Sequence, residues 1–568
     1  EYQPALGGVG TVGMIARYYF GNRVGFTEEI DIGTRSMGPA KMPGVHPADC
    51  NIEWKQQWYA DSNDRAGTAL WFNAIGCGAV VDDGFVRGVL VATPHGIGVV
   101  RCSAVVDGSG SADVPAHAGA DTEAIDARHV AIQGAGLGPR QPGHQYRNTD
   151  WTFIDDNDVV DTTHAMVAAR RKWPNEFDLS TLVDSRERRR IKGDVTVSPL
   201  DQLAGRTWPD TIVTAHSNFD THGMTIHPIF MVKPMDKAAL DAHVPFRCLL
   251  PAQLRNVACT GLGKSAHRDA LPVIRMQPDV QNEGYAAGVA AAMAAASTQG
   301  DLRSIDMAAL QAHLVDIKIL AEEVPTHHDS FPLPAHELTA AIAEGTDSYL
   351  GLATIFAQGE AALPELRSAF NNATGELRLR YAQILGLLGD ATGAAELATA
   401  IAGSEWDEGW NYRGMGQYGR CMSPIDDLLV ALGTSGSTEH GAMVIDKITS
   451  LTAEHHMSHS RAVSEACERL KLTEAAPALA AFLRQDGIAG HHHDSIRAAQ
   501  AAASPDACDT AVRNVSLREL HLARALYRLG DHQGLGAEIL GNYASDLRGV
   551  YARHAQAVLA ETPALVTV

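Results

Sequence analysis

The sequence predicts an α/β body that is incomplete at its N-terminus, carries an inserted α+β domain, and is followed by an all-α helical-repeat domain. Three observations support this. Residues 275–296, RMQPDVQNEGYAAGVAAAMAAA, read as one long helix: Pro278 suits a first helical turn and the alanines are the best helix formers. Residues 78–120 read as short apolar runs (Ala79 to Val81, Phe85 to Ala92, Gly98 to Arg101, Ala104 to Val106) punctuated by Asp-Asp-Gly and Pro-His-Gly turns. Beyond residue 335, segments such as ELRLRYAQILGLLGD and LRELHLARALYRLGD carry apolar residues at helical spacing and end on Leu-Gly-Asp, the mark of degenerate HEAT-like repeats.

Taken in order, the front of the chain contains Gly8-Val9-Gly10-Thr11-Val12-Gly13, a literal GxGxxG. It is expected to be a decoy, because the fingerprint needs a preceding strand and a following helix, and too few residues stand before Gly8 to supply the strand. The run ending at Val106 leads into Asp107-Gly108-Ser109-Gly110, where glycines let the backbone pass close to a phosphate or ribityl chain. Leu254 to Thr260 reads as a short strand delivering Gly261 and Gly263. In the long helix, Gly284 and Gly288 lie one turn apart and clear one face for a backbone or a flat ligand. Its N-terminal N–H groups offer partial positive charge.

This order of motifs resembles the FAD-dependent oxidoreductase family with the two-dinucleotide-binding-domain fold, in which a three-stranded meander leads to a strand ending "DATGD" and a late "GR…R.mp…GqAAG.AAA" segment closes over the flavin. The counterparts are Val105 to Gly110 with Asp113, and Thr260 to Lys264 through Arg275-Met276 to Gly284, Ala287 and Gly288. The resemblance covers about the first 300 residues. It implies a Rossmann-like FAD-binding domain at 1–130 returning at 251–300, a substrate domain at 131–250, a linker at 301–334 and the repeat domain at 335–568. It also implies FAD as cofactor, with Glu1 on the adenosine ribose, Gly7, Gly8 and Thr11 in the "GG..T" loop, and Val80, Gly108, Gly110, Asp113, Gly261, Met276, Gly284 and Ala287 around the rest. By the same comparison the first βαβ unit, with its own GxGxxG, is missing, so a second polypeptide is expected to supply it.

A formal net charge of −21 argues against nucleic acid or anionic membrane as partner, since both need a basic footprint. No apolar run is long enough to cross a bilayer, so a soluble protein of cytoplasm or periplasm is expected. The eight cysteines form no CxxC pair and fit buried thiols better than a zinc site or a disulfide framework.

For chemistry, His267 is the first choice of general base, because imidazole is best matched to proton transfer near neutral pH; a structural histidine bonded to backbone is the alternative. Arg275 either neutralises a substrate carboxylate or the reduced flavin, or pairs with Asp279. His216 to His227 packs three histidines, Asn218 and Asp220 into one loop-like run, from which His222 is taken as a third catalytic candidate and Asn218 as a substrate contact. Tyr19, Asn22 and Arg23, and Trp410 in the aromatic, glycine-rich stretch 406–419, complete a polar and aromatic set suited to a small hydroxylated substrate, sugar derivatives included; the alternatives are an aromatic core helix end for the first group and packing between domains for the second. No metal is expected, and His455 and His459 are read as solvent-facing. The rival reading is a non-catalytic scaffold subunit of a flavoprotein complex that uses its helical repeats to hold a partner.

Overall fold

The computed structural model describes residues 1–13, 15–38, 51–124, 188–221, 225–236, 238–344, 346–409, 422–503 and 511–561, with short pieces at 139–140, 159–160, 162–163, 167 and 178–179. His222, Trp410 and most of the first half of the expected insertion, residues 131–187, lie outside the described residues.

The front half is mixed α/β. After α1 (Gly25–Ser36) and α2 (Ile52–Arg65), strands β1 (Ile75–Asp82), β2 (Phe85–Thr93) and β3 (Gly96–Arg101) form an antiparallel meander in sequence order. Its first turn is Asp83-Gly84, both residues with positive φ, the backbone that a tight hairpin demands and that Asp-Gly accepts readily. β4 (Val105–Asp107) leaves the meander, leads to α3 (Asp113–His117), and pairs in parallel with the distant β7 (Val257–Cys259), in the register Val105 to Val257 and Asp107 to Cys259. Between them come α4 (Pro199–Leu203), the antiparallel ribbon of β5 (Thr211–Ser217) and β6 (Leu240–Pro245), and the four-residue α5 (Ile229–Val232).

The long helix is α6 (Gln277–Ser297), with Pro278 in its first turn as expected. It turns back at Gly300, whose φ of +95° suits only glycine and where an added Cβ would lie 2.1 Å from the Ser103 carbonyl oxygen. Residues 301–334, expected as a linker, carry α7 (Met307–Asp316), whose Gln311 amide donates to the carbonyls of Pro209 and Thr211, and a return in which Asp329 and Ser330 bond Arg206 and Thr207.

From α8 (Ala335–Glu344) and α9 (Tyr349–Gln358) onward the chain is helical, through α10 (Leu363–Asn372) and α11 (Gly375–Leu387) to the last helix at Gly549–Leu559. One apolar core runs without a break from Val197 to Val558, so the helical region shares its interior with the α/β region. The meander keeps a separate small core of Val86, Ala120, Leu254 and Val257. Among the described cysteines, all free, Cys248, Cys259 and Cys467 are buried, Cys102 is half-buried and Cys77 is exposed.

Replacing Gly300 with Ala is expected to lower stability by about 2 to 3 kcal/mol, through a strained φ and a clash with backbone. Gly98→Ala, where an added Cβ meets nothing within 4 Å, should change it by less than about 0.5 kcal/mol. Chemical denaturation of the two variants checks the pair.

Candidate functional site

The β4–β7 pairing brings the two glycine loops to the same strand ends. The Thr260 backbone N–H donates to the Asp107 carbonyl at 2.9 Å, which carries the register one residue past the strands. Asp107 is buried; its carboxylate accepts the N–H of Ser109 at 2.7 Å and of Val114 at 2.9 Å, and so shapes the loop leading into α3. Gly263 is a packing glycine: an added Cβ would stand 2.6 Å from Cys259 Sγ and 2.9 Å from the Ala112 nitrogen, so its absence lets the two loops touch.

Other glycines there do the opposite. Added Cβ atoms at Gly110, Gly284 and Gly288 would meet nothing within 4 Å; at Gly108 only Thr260 Oγ1 at 4.0 Å, and at Gly261 only Val280 Cγ1 at 3.9 Å. At each of these five positions the backbone therefore faces open space, and the leading N–H groups of α6 have no intrahelical acceptor.

What fixes the Gly261 loop to α6 is a buried ion pair that sequence reading missed. Lys264 and Glu283 are both fully enclosed and in contact. Glu283 Oε1 also accepts the Gly261 N–H at 2.8 Å, and Lys264 Nζ donates to the Ile274 carbonyl at 2.8 Å. Burial pushes the Glu283 carboxyl above its ordinary range, while the lysine beside it pulls the other way. The available signal was weak: Lys264 follows the small, uncharged run Thr260 to Gly263, and Glu283 directly precedes Gly284 and the alanines of α6.

Asp279 sits in the first turn of α6, buried, accepting the N–H of Asn22 at 2.8 Å and of His216 at 3.2 Å. Desolvation pushes its carboxyl up to about 7, against those two hydrogen bonds. Arg275 does not pair with it. Its guanidinium donates to the Asp220 carbonyl at 2.6 Å and lies 3.7 Å from the Asp220 carboxylate, tying the end of the 218–221 segment to the start of α6.

His267 lies close against His227, ring centroids 5.2 Å apart and edge to face. Between them works Asp269, fully buried, whose Oδ2 accepts the N–H groups of Ile226 and His227, each at 2.7 Å, and whose Oδ1 accepts from Arg268. Burial lowers His227 to about 4 and lowers His267 as well, so both rings are neutral at pH 7. Each ring uses Nδ1 as an acceptor, His267 from the Asp269 N–H at 3.1 Å and His227 from the Ile229 N–H at 3.3 Å, which leaves the proton on Nε2.

The other expected site residues are dispersed. Asn218 donates to the Tyr19 hydroxyl at 3.3 Å, so those two do meet. Asn22 Nδ2 donates to the Thr214 carbonyl, and Arg23 is held by Asp31 under the face of Tyr18. Met276 caps α6 and is nearly buried, and Ala287 is wholly enclosed on the core side of that helix. Asp113 is engaged by Arg189 at 2.7 Å. Val80 lies exposed on β1, and the Glu1 carboxylate accepts the Gln3 N–H at an exposed position.

Gly7 and Gly8 have positive φ at a short 3-10 turn, Gly8–Gly10, and Thr11 closes it by donating to the Leu6 carbonyl at 2.6 Å. No α-helix follows, and an added Cβ at Gly10 would lie 2.3 Å from Gln277 Oε1. Gly10 is thus a packing glycine against α6.

Residues 167–314 match the family model of the FAD dependent oxidoreductases. The chain carries an FAD dependent oxidoreductase domain. Its cofactor is FAD. No curated protein and no solved structure matches the chain. The matched stretch holds the Gly261 loop, the Lys264–Glu283 pair, the two histidines and the whole of α6, and the parallel pairing joins β4, which lies outside it, to β7 within it. Among the described residues no group of three or more His, Cys, Asp or Glu could hold a metal, and no helix is long and apolar enough to cross a membrane. His459, expected at the surface, is fully buried instead, 2.6 Å from Asp426 and 4.6 Å from the Trp406 ring.

Two outcomes are expected. Lys264→Met should cost about 3 to 5 kcal/mol, since it strands a buried carboxylate, and adding Glu283→Leu should recover a large part of the loss; a double-mutant denaturation cycle measures this. Asp279 has a folded-state pKa above its unfolded value, so its contribution is fully present below about pH 4 and is lost as pH rises toward 7. Asp279→Asn should flatten the stability profile across that window, as followed by melting temperature against pH.

Proposed function

We propose that the chain oxidises or reduces a small, polar, hydroxylated compound, sugar derivatives included, with FAD held where the β4 and Gly261 loops meet the start of α6. The open space in front of Gly108, Gly110, Gly261 and Gly284 carries this reading, because a flat ring system and a pyrophosphate need bare backbone and N–H donors, not side chains. Met276 and the first-turn N–H groups of α6 complete the set of groups that would hold it. Bound FAD supplies two-electron redox chemistry.

The chain's own residues orient the substrate and polarise its oxygen. His267 cannot take a proton at Nδ1 without losing the Asp269 N–H bond and facing that donor with another. In this reading it acts as a neutral hydrogen-bond donor through Nε2, with His227 beside it, rather than as the general base its residue type suggests. Arg275 positions the segment ending at Asp220. Tyr19 and Asn218 offer a hydroxyl and an amide to a hydroxylated substrate.

Two further elements belong to this proposal. A glycine-rich βαβ unit packs on β4 and the meander. In support, Val106 on β4 is exposed, and the meander presents Ile97 (74% exposed), Val99 and Val80 to solvent. The helical region is a HEAT-like array. In support, α11 and the helix Ala511–Arg528 both end at Leu-Gly-Asp, make a three-residue 3-10 turn and start a second helix at Ala394 and Leu535.

Anaerobic mixing of the FAD-loaded protein with a panel of polyols, aldoses, amines and amino acids tests the substrate class: bleaching of the flavin bands by hydroxylated compounds supports it, and bleaching by amines alone overturns it. With the best reductant, His267→Ala should slow bleaching by about 100-fold or more. His267→Gln, which keeps an N–H at a similar reach, should stay within about tenfold of wild type. Equal losses in both variants would restore the general-base assignment.

A further inference from the structure

Helix α5 is four residues long, so its last carbonyls have no intrahelical donors and must find partners elsewhere. All four of its side chains are buried. The partners come from the helical region. Arg380 on α11 donates to the Val232 carbonyl, Gln383 on the same helix donates to the Met231 carbonyl at 3.3 Å, and the Tyr349 hydroxyl at the start of α9 donates to the Pro234 carbonyl. Lys233 stands 4.9 Å over the Tyr349 ring.

The other end of the same short helix carries His227. Its carbonyl accepts the Phe230 N–H at 3.1 Å, its Nδ1 accepts the Ile229 N–H, and Phe230 packs against both its ring and Phe219. The segment is thus held at both ends, by Asp269 at Ile226 and His227 and by the helical region at Met231 to Pro234.

We propose that Arg380, Gln383 and Tyr349 are positioning residues for the oxidoreductase site: the helical region clamps the carbonyl end of α5 and thereby sets His227 against His267. This rests on the reading of the two histidines given under Proposed function. It gives the helical region a part in the active site beyond that of a docking surface. A donor set drawn from two helices more than 110 positions along the chain fixes a loop more tightly than local bonds, because both helices are themselves locked in the shared core.

The titration of His227 reads the clamp directly, independent of substrate. The groups facing it are His267 and Asp269, and burial holds it down near 4. Site-resolved deuterium exchange at the histidine C2 position, followed by mass spectrometry on the full FAD-loaded chain across pH 3 to 9, gives each histidine its own value. In Arg380→Ala, His227 should move up toward the ordinary 6.5 as water reaches a loosened α5. His243, which sits between Thr214 and His327, should keep its wild-type titration, and Arg380→Lys should restore much of the effect.

Where Arg380→Ala fails to fold, Tyr349→Phe, which removes one hydroxyl, decides by the same measurement. An unchanged His227 in a folded Arg380→Ala or in Tyr349→Phe overturns the clamp. The same variants run in the flavin-bleaching assay separate the two ideas. A shifted His227 with unchanged bleaching leaves the clamp standing and removes His227 from the oxidoreductase mechanism.

Discussion

The site depends on one buried ion pair. Lys264 and Glu283 come from different segments, and neither has access to water. Burying two charges is costly unless each is paired and its remaining hydrogen-bonding capacity is used. Here Glu283 spends its second oxygen on the Gly261 N–H, and Lys264 reaches the Ile274 carbonyl. The pair therefore fixes three things at once: the glycine loop after β7, the approach to α6 and the position of α6 itself. Apolar residues of similar size would fill the volume but would not hold a glycine loop open in a defined place.

Much of this was legible because backbone geometry leaves marks in sequence. The meander is announced by its turns, since Asp83-Gly84 adopts a conformation few other pairs accept. Pro278 marked the start of α6 to within two residues. The GxGxxG at Gly8 could be set aside because a motif without its strand and helix lacks the geometry that gives it meaning. The structure finds Gly10 packed on Gln277 and Gly13 on Val9, with no α-helix starting behind them.

What stayed hidden is tertiary. Lys264 and Glu283 stand 19 positions apart, and no local rule couples residues at that spacing. The protonation geometry of His267 depends on an N–H two residues on, which periodicity does not reveal. His459 was misjudged because an i, i+4 histidine pair says nothing about which face is covered, and nearly the whole of Met457–Leu470 is covered. The partition at residues 301–334 followed composition, whereas the apolar core crosses it. The contact of Arg380 and Tyr349 with the His227 segment exists only because of that crossing.

The central claim is that the bare backbone beside α6 is kept clear for FAD, and a side chain placed there tests it most directly. Leucine at position 284 has room, since an added Cβ there meets nothing within 4 Å, and it is a better helix former than glycine by roughly 0.5 to 1 kcal/mol. The Gly284→Leu protein should therefore melt at or above the wild-type temperature without cofactor, yet purify with a flavin-to-protein ratio at least tenfold lower. A Gly284→Leu protein that keeps FAD at the wild-type ratio would contradict the account.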